Sequence, residues 1–289
     1  MANLEEIIAR KSETDSQWKL QQQAERDSVT EMQDCGIEMI ATDPEQYLRY
    51  LTMQGDNPAY SAGNVAIILA GMKGATVFGT RERWQSLGRF VLPEEQDRGV
   101  KIFARDARTK AYALADAYDV SQTQGRDLKH RVLREGGPEM SSALETLLNY
   151  SKAKSMIDKD MEAPAFFDEE RKELAINPDY PDGEAFASIA AEVALTRFHD
   201  KGYNPDYSWA RYELDAQSVA YILCRRFGVE PKTPNMERLA ERFEGMSPDE
   251  CKGVLDKIQD MSKQIGRSID LNIEAEKRKS RATVRRPVR

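Results

Sequence analysis

Histidine is the scarcest functional side chain in this sequence: 289 residues carry only two, His130 and His199. Most histidine-ligated metal sites and most imidazole acid–base chemistry are therefore out of reach. Cysteine is nearly as sparse. Cys35, Cys224 and Cys251 lie far apart, odd in number and without a Cys-x-x-Cys pair. That excludes a disulfide framework and a cysteine zinc knuckle. There is no Gly-x-Gly-x-x-Gly and no P-loop, so neither nucleotide-binding signature applies. No run approaches the ~18 apolar residues that a membrane helix requires, and the opening "MANLEEIIARKSETDSQ" has no apolar signal core. The expectation is a soluble, cytoplasmic protein with no membrane partner.

Charge is what the chain has in quantity. Charged residues make up 31% against 40% hydrophobic, and the net charge is −7. The charge is unevenly placed. From Glu276 to Arg289 there are seven Lys and Arg (Lys277, Arg278, Lys279, Arg281, Arg285, Arg286, Arg289) against one Glu, so the rest of the chain is more acidic than the total. A basic tail on an acidic body can reach a phosphate backbone or an acidic partner. A short charged terminus is as often simply solvated. Acidic pairs abound, and for each the default is a solvated face.

The length suits one large domain or two smaller ones. Residues 3–53 read as mostly helical, with Asp43 as a cap and Pro44 in the first turn of "DPEQYLRYLTMQGD". A short apolar helix follows, capped near Ser61. After Gly74 the texture changes to strand "ATVFGT", short helix "RERWQSLGR" ending at Gly88, and a predicted hairpin of "VKIFARD" and "AYALADAYDVSQT". "SSALETLLNYSKAKSMI" reads as an amphipathic helix on Leu144, Leu147, Leu148 and Ser151, and "ELAIN" as a short strand. Four helical segments complete the chain: 184–201, 209–227, 235–243 and 247–273. The last opens with a Ser247–Glu250 capping box. The expected division is a helical extension over 1–44, a small α+β domain over 45–130, a mostly helical domain over 140–273 and a basic disordered tail over 274–289.

Within the helix "AFASIAAEVALTRFHD" lies an incomplete pattern. A zincin helix carries His-Glu-x-x-His, with imidazoles one turn apart and a glutamate to activate water. Here the frame is Ala191-Glu192-Val193-Ala194-Leu195: the glutamate stands and both histidine positions are apolar. His199 lies seven residues beyond Glu192, too far to restore the pair.

Two stretches together carry a family likeness. In "NPAYSAGNVAIILA", "GTRERWQSLGRFV", "GVKIFA" and "YDVSQTQG", the residues Tyr60, Ser61, Asn64, Trp84, Leu87, Gly88, Ile102, Asp119, Val120, Ser121, Gln122 and Thr123 fall in order. This resembles the N-terminal domain of ArdC-type antirestriction proteins, including the LtrC-like versions, over roughly residues 45–125. The second stretch, "YELDAQSVAYILCRRFGV", resembles a later helix of the same family's zincin-like domain, with Glu213 on the third ligand position. The resemblance implies an α+β fold: a small α+β domain, then a mostly helical zincin-like (pseudo-metallopeptidase) domain. It further implies that Glu192 and Glu213 are remnants on facing helices, Ile189, Val193, Val219 and Ile222 keeping a core-facing pattern. No catalytic residue, metal or cofactor is expected, since one carboxylate cannot replace the three protein ligands that zinc needs.

For nucleic acid the resemblance points to Tyr60, Asn64, Arg81, Arg83, Trp84, Arg89, Lys101 and Gln122. Each has a plain structural alternative. Trp84 is more often core than a stacking platform, Tyr60 and Tyr112 can cap a core, and Gln122 and Thr123 can make turn hydrogen bonds. The chain also departs from the family at its lysine-rich loop, which here reads "LPEEQDRG", with Glu94, Glu95 and Asp97 against Arg98. Carboxylates there repel phosphate. Three functions follow in order. The first is a single-stranded-DNA-binding accessory protein of a mobile element that counters host defence. The second, close behind, is a protein-binding inhibitor of a host restriction or CRISPR nuclease on a metal-free scaffold. The third is a hydrolase with a site rebuilt from Glu192, His199 and Glu213.

Overall fold

A computed structural model describes residues 3–105, 111–200 and 207–284. The chain forms two compact units: Met1–Ile37 with Ala66–Arg126, and Glu38–Val65 with Asp127–Arg289. The first divisions fall inside helix α1 (Leu4–Thr42) and helix α3 (Ala62–Gly71). Residues 38–65, expected partly in an extension and partly in the small α+β domain, thus belong to the second unit. The class is α+β, as expected. No helix among the described residues is long and apolar enough to cross a membrane.

The first unit holds two antiparallel sheets. Strands β1 (Phe78–Thr80), β3 (Val100–Arg105) and β4 (Tyr112–Asp119) run in the order β1–β4–β3. The predicted hairpin is there, with Val100 opposite Ala117 and Arg105 opposite Tyr112. Strands β2 (Arg89–Val91) and β5 (Thr123–Gly125) form a two-stranded ribbon. Helix α4 (Arg81–Ser86) is capped by the Thr80 hydroxyl and released at Gly88, whose φ of 73° suits a residue without Cβ. Trp84 is 1% exposed and donates its indole N–H to the Tyr118 carbonyl at 3.0 Å. Phe78, Ile102 and Ala117 complete that core.

The second unit is mainly helical. Helix α2 (Pro44–Asp56) starts at Asp43, whose carboxylate accepts from the Glu45 amide at 2.8 Å. Helices α5 (Pro138–Tyr150), α6 (Asp182–His199), α7 (Trp209–Phe227), α8 (Leu239–Phe243) and α9 (Pro248–Val284) follow. Between α5 and α6 stand β6 (Lys154–Ile157), β7 (Ala165–Asp168) and β8 (Glu173–Ile176), in the order β6–β8–β7, with β6 parallel and β7 antiparallel to β8. Helix α7 has the predicted limits and closes on Gly228 in the left-handed region. Helix α9 buries Val254, Leu255, Ile258, Ile265, Ile269 and Ile273 along one stripe, and its Ser247–Glu250 capping box forms.

The structure corrects two expectations. The amphipathic helix ends at Tyr150, because Ser151 is extended (ψ 147°), and Lys154–Ile157 are a strand rather than its continuation. Residues 274–284, expected in a disordered tail, continue α9 as helix, and Lys277 pairs with Glu139 at 2.7 Å. The last five residues of that expected tail lie outside the described residues.

One ion pair in the second unit is fully enclosed. Arg242 donates to both oxygens of Asp215 at 2.8 Å each, with the two side chains 7% and 1% exposed. Beside it, the Tyr47 hydroxyl meets the Ser218 hydroxyl at 2.8 Å. Removing one partner strands the other charge in the interior, which costs about 3–5 kcal/mol, whereas replacing both with hydrocarbon of similar volume is often neutral. Asp215→Ala is therefore expected to lose that amount in urea unfolding. The double change Asp215→Leu with Arg242→Met should lose much less. Equal losses in the single and double variants would contradict this role.

Candidate functional site

Helix α6 is anchored at its start by the Glu135 carboxylate, which accepts from the Asp182 and Gly183 amides. Carboxylates there also meet the positive end of the helix dipole. Helix α7 starts at Ser208, whose hydroxyl accepts from the Arg211 amide at 3.3 Å. The two helices pack together. Ala187, Ser188, Ala191, Glu192 and Leu195 from α6 and Glu213, Ala216, Gln217, Ala220, Tyr221 and Cys224 from α7 line one cavity of about 230 Å³. Trp209, Lys232 and Thr233 complete its wall. Both glutamates singled out in the sequence thus reach one space from facing helices, and so do the two positions where a zincin carries histidine.

The two carboxylates have different settings. Glu192 accepts the Phe167 amide of β7 at 2.9 Å. Burial pushes its carboxyl up to about 7 against the opposing pull of that N–H. Glu213 is 8% exposed. Its Oε1 accepts from Gln217 at 3.2 Å, and Gln217 in turn accepts from the Asn235 amide at 2.7 Å. Its Oε2 has Arg238 Nε at 3.4 Å but no hydrogen bond. Cys224 is buried, which pushes its thiol up to about 12 and removes it as a nucleophile at neutral pH.

These residues do not fit a zinc ion. Ala191 and Leu195 offer hydrocarbon at the two imidazole positions, and Glu213 is set against a guanidinium. Among the described residues, no group of three or more His, Cys, Asp or Glu is placed to hold a metal. His199 does not line the cavity; its ring packs edge-on against Phe167 at 5.7 Å and Tyr207 at 4.9 Å. A site rebuilt from Glu192, His199 and Glu213 is not what the fold assembles.

The residues singled out for nucleic acid are dispersed. Tyr60 and Asn64 belong to the second unit, the other six to the first. Asn64 is buried at the start of α3. Trp84 is core, so its faces are unavailable for stacking on bases. Arg89 is committed to structure: it donates to the Thr123 hydroxyl at 2.9 Å, the Thr123 carbonyl at 2.9 Å and the Arg126 carbonyl at 2.7 Å. Gln122 closes a capping box with Asp119 and donates to Glu95 at 3.0 Å. The Asp-Val-Ser-Gln-Thr motif is thus a structural turn, in which Asp119 also accepts the Thr76 amide at 2.7 Å. Arg81 and Arg83 are exposed on α4, Arg81 lying against the Tyr118 ring at 5.7 Å. Lys101 pairs with Asp116 at 3.4 Å across the hairpin. Sequence reasoning missed the Phe167 amide and Arg238; Gln217, one helical turn after Glu213, was the legible signal of a supported carboxylate.

The fold and cavity define an α+β chain of two units, the second built around facing helices that present two carboxylates and, among the described residues, no metal-binding set. No protein-family model matches the chain, and no curated protein matches it. It is similar to solved structures of the antirestriction ArdC protein from R388 plasmid. The metal-free structure matches at 18% identity over 74% of this chain and 85% of that one, with a TM-score of 0.42. The Mn(II)-bound structure matches at 18% identity over 75% and 87%, with a TM-score of 0.44. Neither TM-score reaches 0.5, and the chemistry of the cavity stands on its own residues.

The raised Glu192 carboxyl makes stability depend on pH. Between about pH 4.5, its ordinary value, and about pH 7, the folded state holds this proton more tightly than the unfolded chain does. The contribution is full below that window, falls as pH rises through it and is absent above. Glu192→Gln keeps an acceptor for the Phe167 amide and removes the charge. The variant and parent stabilities are expected to be close at pH 4.5 and to diverge by roughly 1–3 kcal/mol in favour of the variant at pH 8. Urea unfolding at the two pH values reads this directly; a gap that does not change with pH contradicts it.

Proposed function

We propose that this chain is a non-catalytic, antirestriction-type accessory protein of a mobile genetic element, which counters host defence by binding rather than by cleavage. The observation that carries this reading is the cavity itself. Ala191, Glu192, Leu195 and Glu213 meet in one space, and at the spacing of a His-Glu-x-x-His helix the two histidine positions are hydrocarbon. Without a metal, no water is brought near a pKa of ~7, and Glu192 has nothing to activate. ArdC from R388, an antirestriction protein with metal-free and Mn(II)-bound structures, is the relative from which the biological role is taken.

For the target, we favour single-stranded DNA on the first unit. Arg81 and Arg83 offer exposed cations there, and Phe90 and Tyr112, 57% and 67% exposed, offer ring faces in place of the buried Trp84. Such binding is electrostatic with sequence-tolerant stacking. The second reading, a protein-binding inhibitor of a defence nuclease, is favoured by the structural commitments of Asn64, Trp84, Arg89 and Gln122 and by exposed Glu94 and Asp97 near the same strands.

Titrating an oligo-dT strand across salt concentrations tests the target. Affinity is expected to fall with a log–log slope of about −0.7 per phosphate neutralised, and Arg81→Ala with Arg83→Ala should make the slope shallower by about 1.4. No binding at low salt would pass first place to the protein-inhibitor reading. Elemental analysis of the purified chain is expected to find no stoichiometric zinc; one zinc per chain would contradict the non-catalytic reading.

A further inference from the structure

We infer that the cavity between α6 and α7 is a binding site for an alkylammonium group, such as a lysine side chain or a free primary alkylamine. The inference rests on the absence of metal donors argued above, and extends it: the carboxylates left in the cavity hold an organic cation in place of a metal.

Three observations point there. The first is the pattern of unfilled acceptors. Glu213 is nine-tenths buried and lines the cavity, and its Oε2 makes no hydrogen bond within the described residues, Arg238 Nε standing off at 3.4 Å with room for a closer donor. Glu192 uses one oxygen for the Phe167 amide, and among the described residues the other has no hydrogen-bond partner. A buried acceptor without a donor is costly, and an ammonium supplies three donors and no acceptor. The second is charge. Arg238 stands at 3.4 Å from Glu213, so of the two carboxylates it is Glu192 that has no cation among its contacts with the described residues. Around Glu192, the Tyr207 hydroxyl brings no positive charge, and its own ionisation is pushed up first by burial, then by Glu169 and Glu192. The charged group that competes is Lys232, which is exposed at the cavity wall. The third is shape. Ala187, Ala191, Leu195, Ala216 and Ala220 leave about 230 Å³ walled by hydrocarbon, suited to an alkyl chain whose charged head meets the carboxylates. A hydrated dication finds too few donors in that space; an alkylammonium finds both a head site and an apolar sleeve.

Binding of the cation favours ionised Glu192. Affinity is therefore expected to rise about tenfold per pH unit from pH 5 towards 7 and to level off above, while the ligand stays protonated.

Trp209 lines the cavity and reports on it. The experiment titrates the full chain with butylammonium, following tryptophan fluorescence, with Trp209→Phe as the control for the signals of Trp18 and Trp84. 1-Butanol is the neutral arm, and Nα-acetyl-lysine amide is the peptide-like arm. Saturable binding of butylammonium, weakened at least tenfold by Glu192→Gln and by Glu213→Gln and abolished by Leu195→Trp, supports the inference. Circular dichroism checks that each variant is folded. The two amines distinguish the sources: tighter binding of the lysine derivative assigns the site to a partner's side chain, and tighter butylammonium to a free amine. Butanol binding as tightly as butylammonium, or the two Gln variants binding unchanged, overturns it. Zinc content, measured on the same preparation, separates the readings. Zinc with no amine binding refutes the non-catalytic reading as well, whereas neither zinc nor amine binding refutes only the ammonium site.

Discussion

Alanines at 187 and 191 on α6 and at 216 and 220 on α7 line the space between two packed helices, and both cavity carboxylates are presented into it from the same pair of helices. Small side chains let helix axes approach closely. Here they also leave space between the backbones that no larger side chain fills. Ile189, Val193, Val219 and Ile222, all buried, supply hydrophobic stabilisation to the same pair of helices. The enclosed Asp215–Arg242 pair ties α7 to α8, on a side of α7 turned away from Glu213, two residues earlier in the helix.

Given that frame, Glu192 has a structural task that a catalytic base does not need. It caps an amide on the outer edge of β7, a strand already paired to β8 on its other side. An unpaired strand edge is a liability that proteins cover in various ways. A half-buried carboxylate is an expensive cover, as the raised carboxyl of Glu192 records. That cost leaves the group responsive to any cation that enters the cavity.

Much of this was legible in the sequence, and the exceptions have physical causes. Helix α7 could be read to the residue because a Ser cap, an apolar stripe and a left-handed glycine all mark it. The Glu192–Glu213 meeting was expected from the family resemblance, with the core-facing Ile189, Val193, Val219 and Ile222 in keeping with it. Strands β6 and β7 were not readable. Each has four residues, and β6 has all its side chains exposed, so no alternation of apolar and polar residues announces it. Trp84, Arg89 and Gln122 looked like ligands for nucleic acid because aromatic, guanidinium and amide groups serve equally well inside a fold. Only the partners of their donor atoms, Tyr118, Thr123 and Glu95, separate the two uses.

The most direct measurement is to place metal donors at the two apolar positions beside Glu192. If the helices keep a metallopeptidase frame that lost its ligands, Ala191→His combined with Leu195→His places two imidazoles one turn apart, on the cavity that Glu213 also lines. Calorimetric titration with zinc is then expected to give one site per chain in the double variant and none in the parent. No zinc binding by the folded double variant, or stoichiometric binding by the parent, would contradict the claim that this cavity is a peptidase frame without its metal donors.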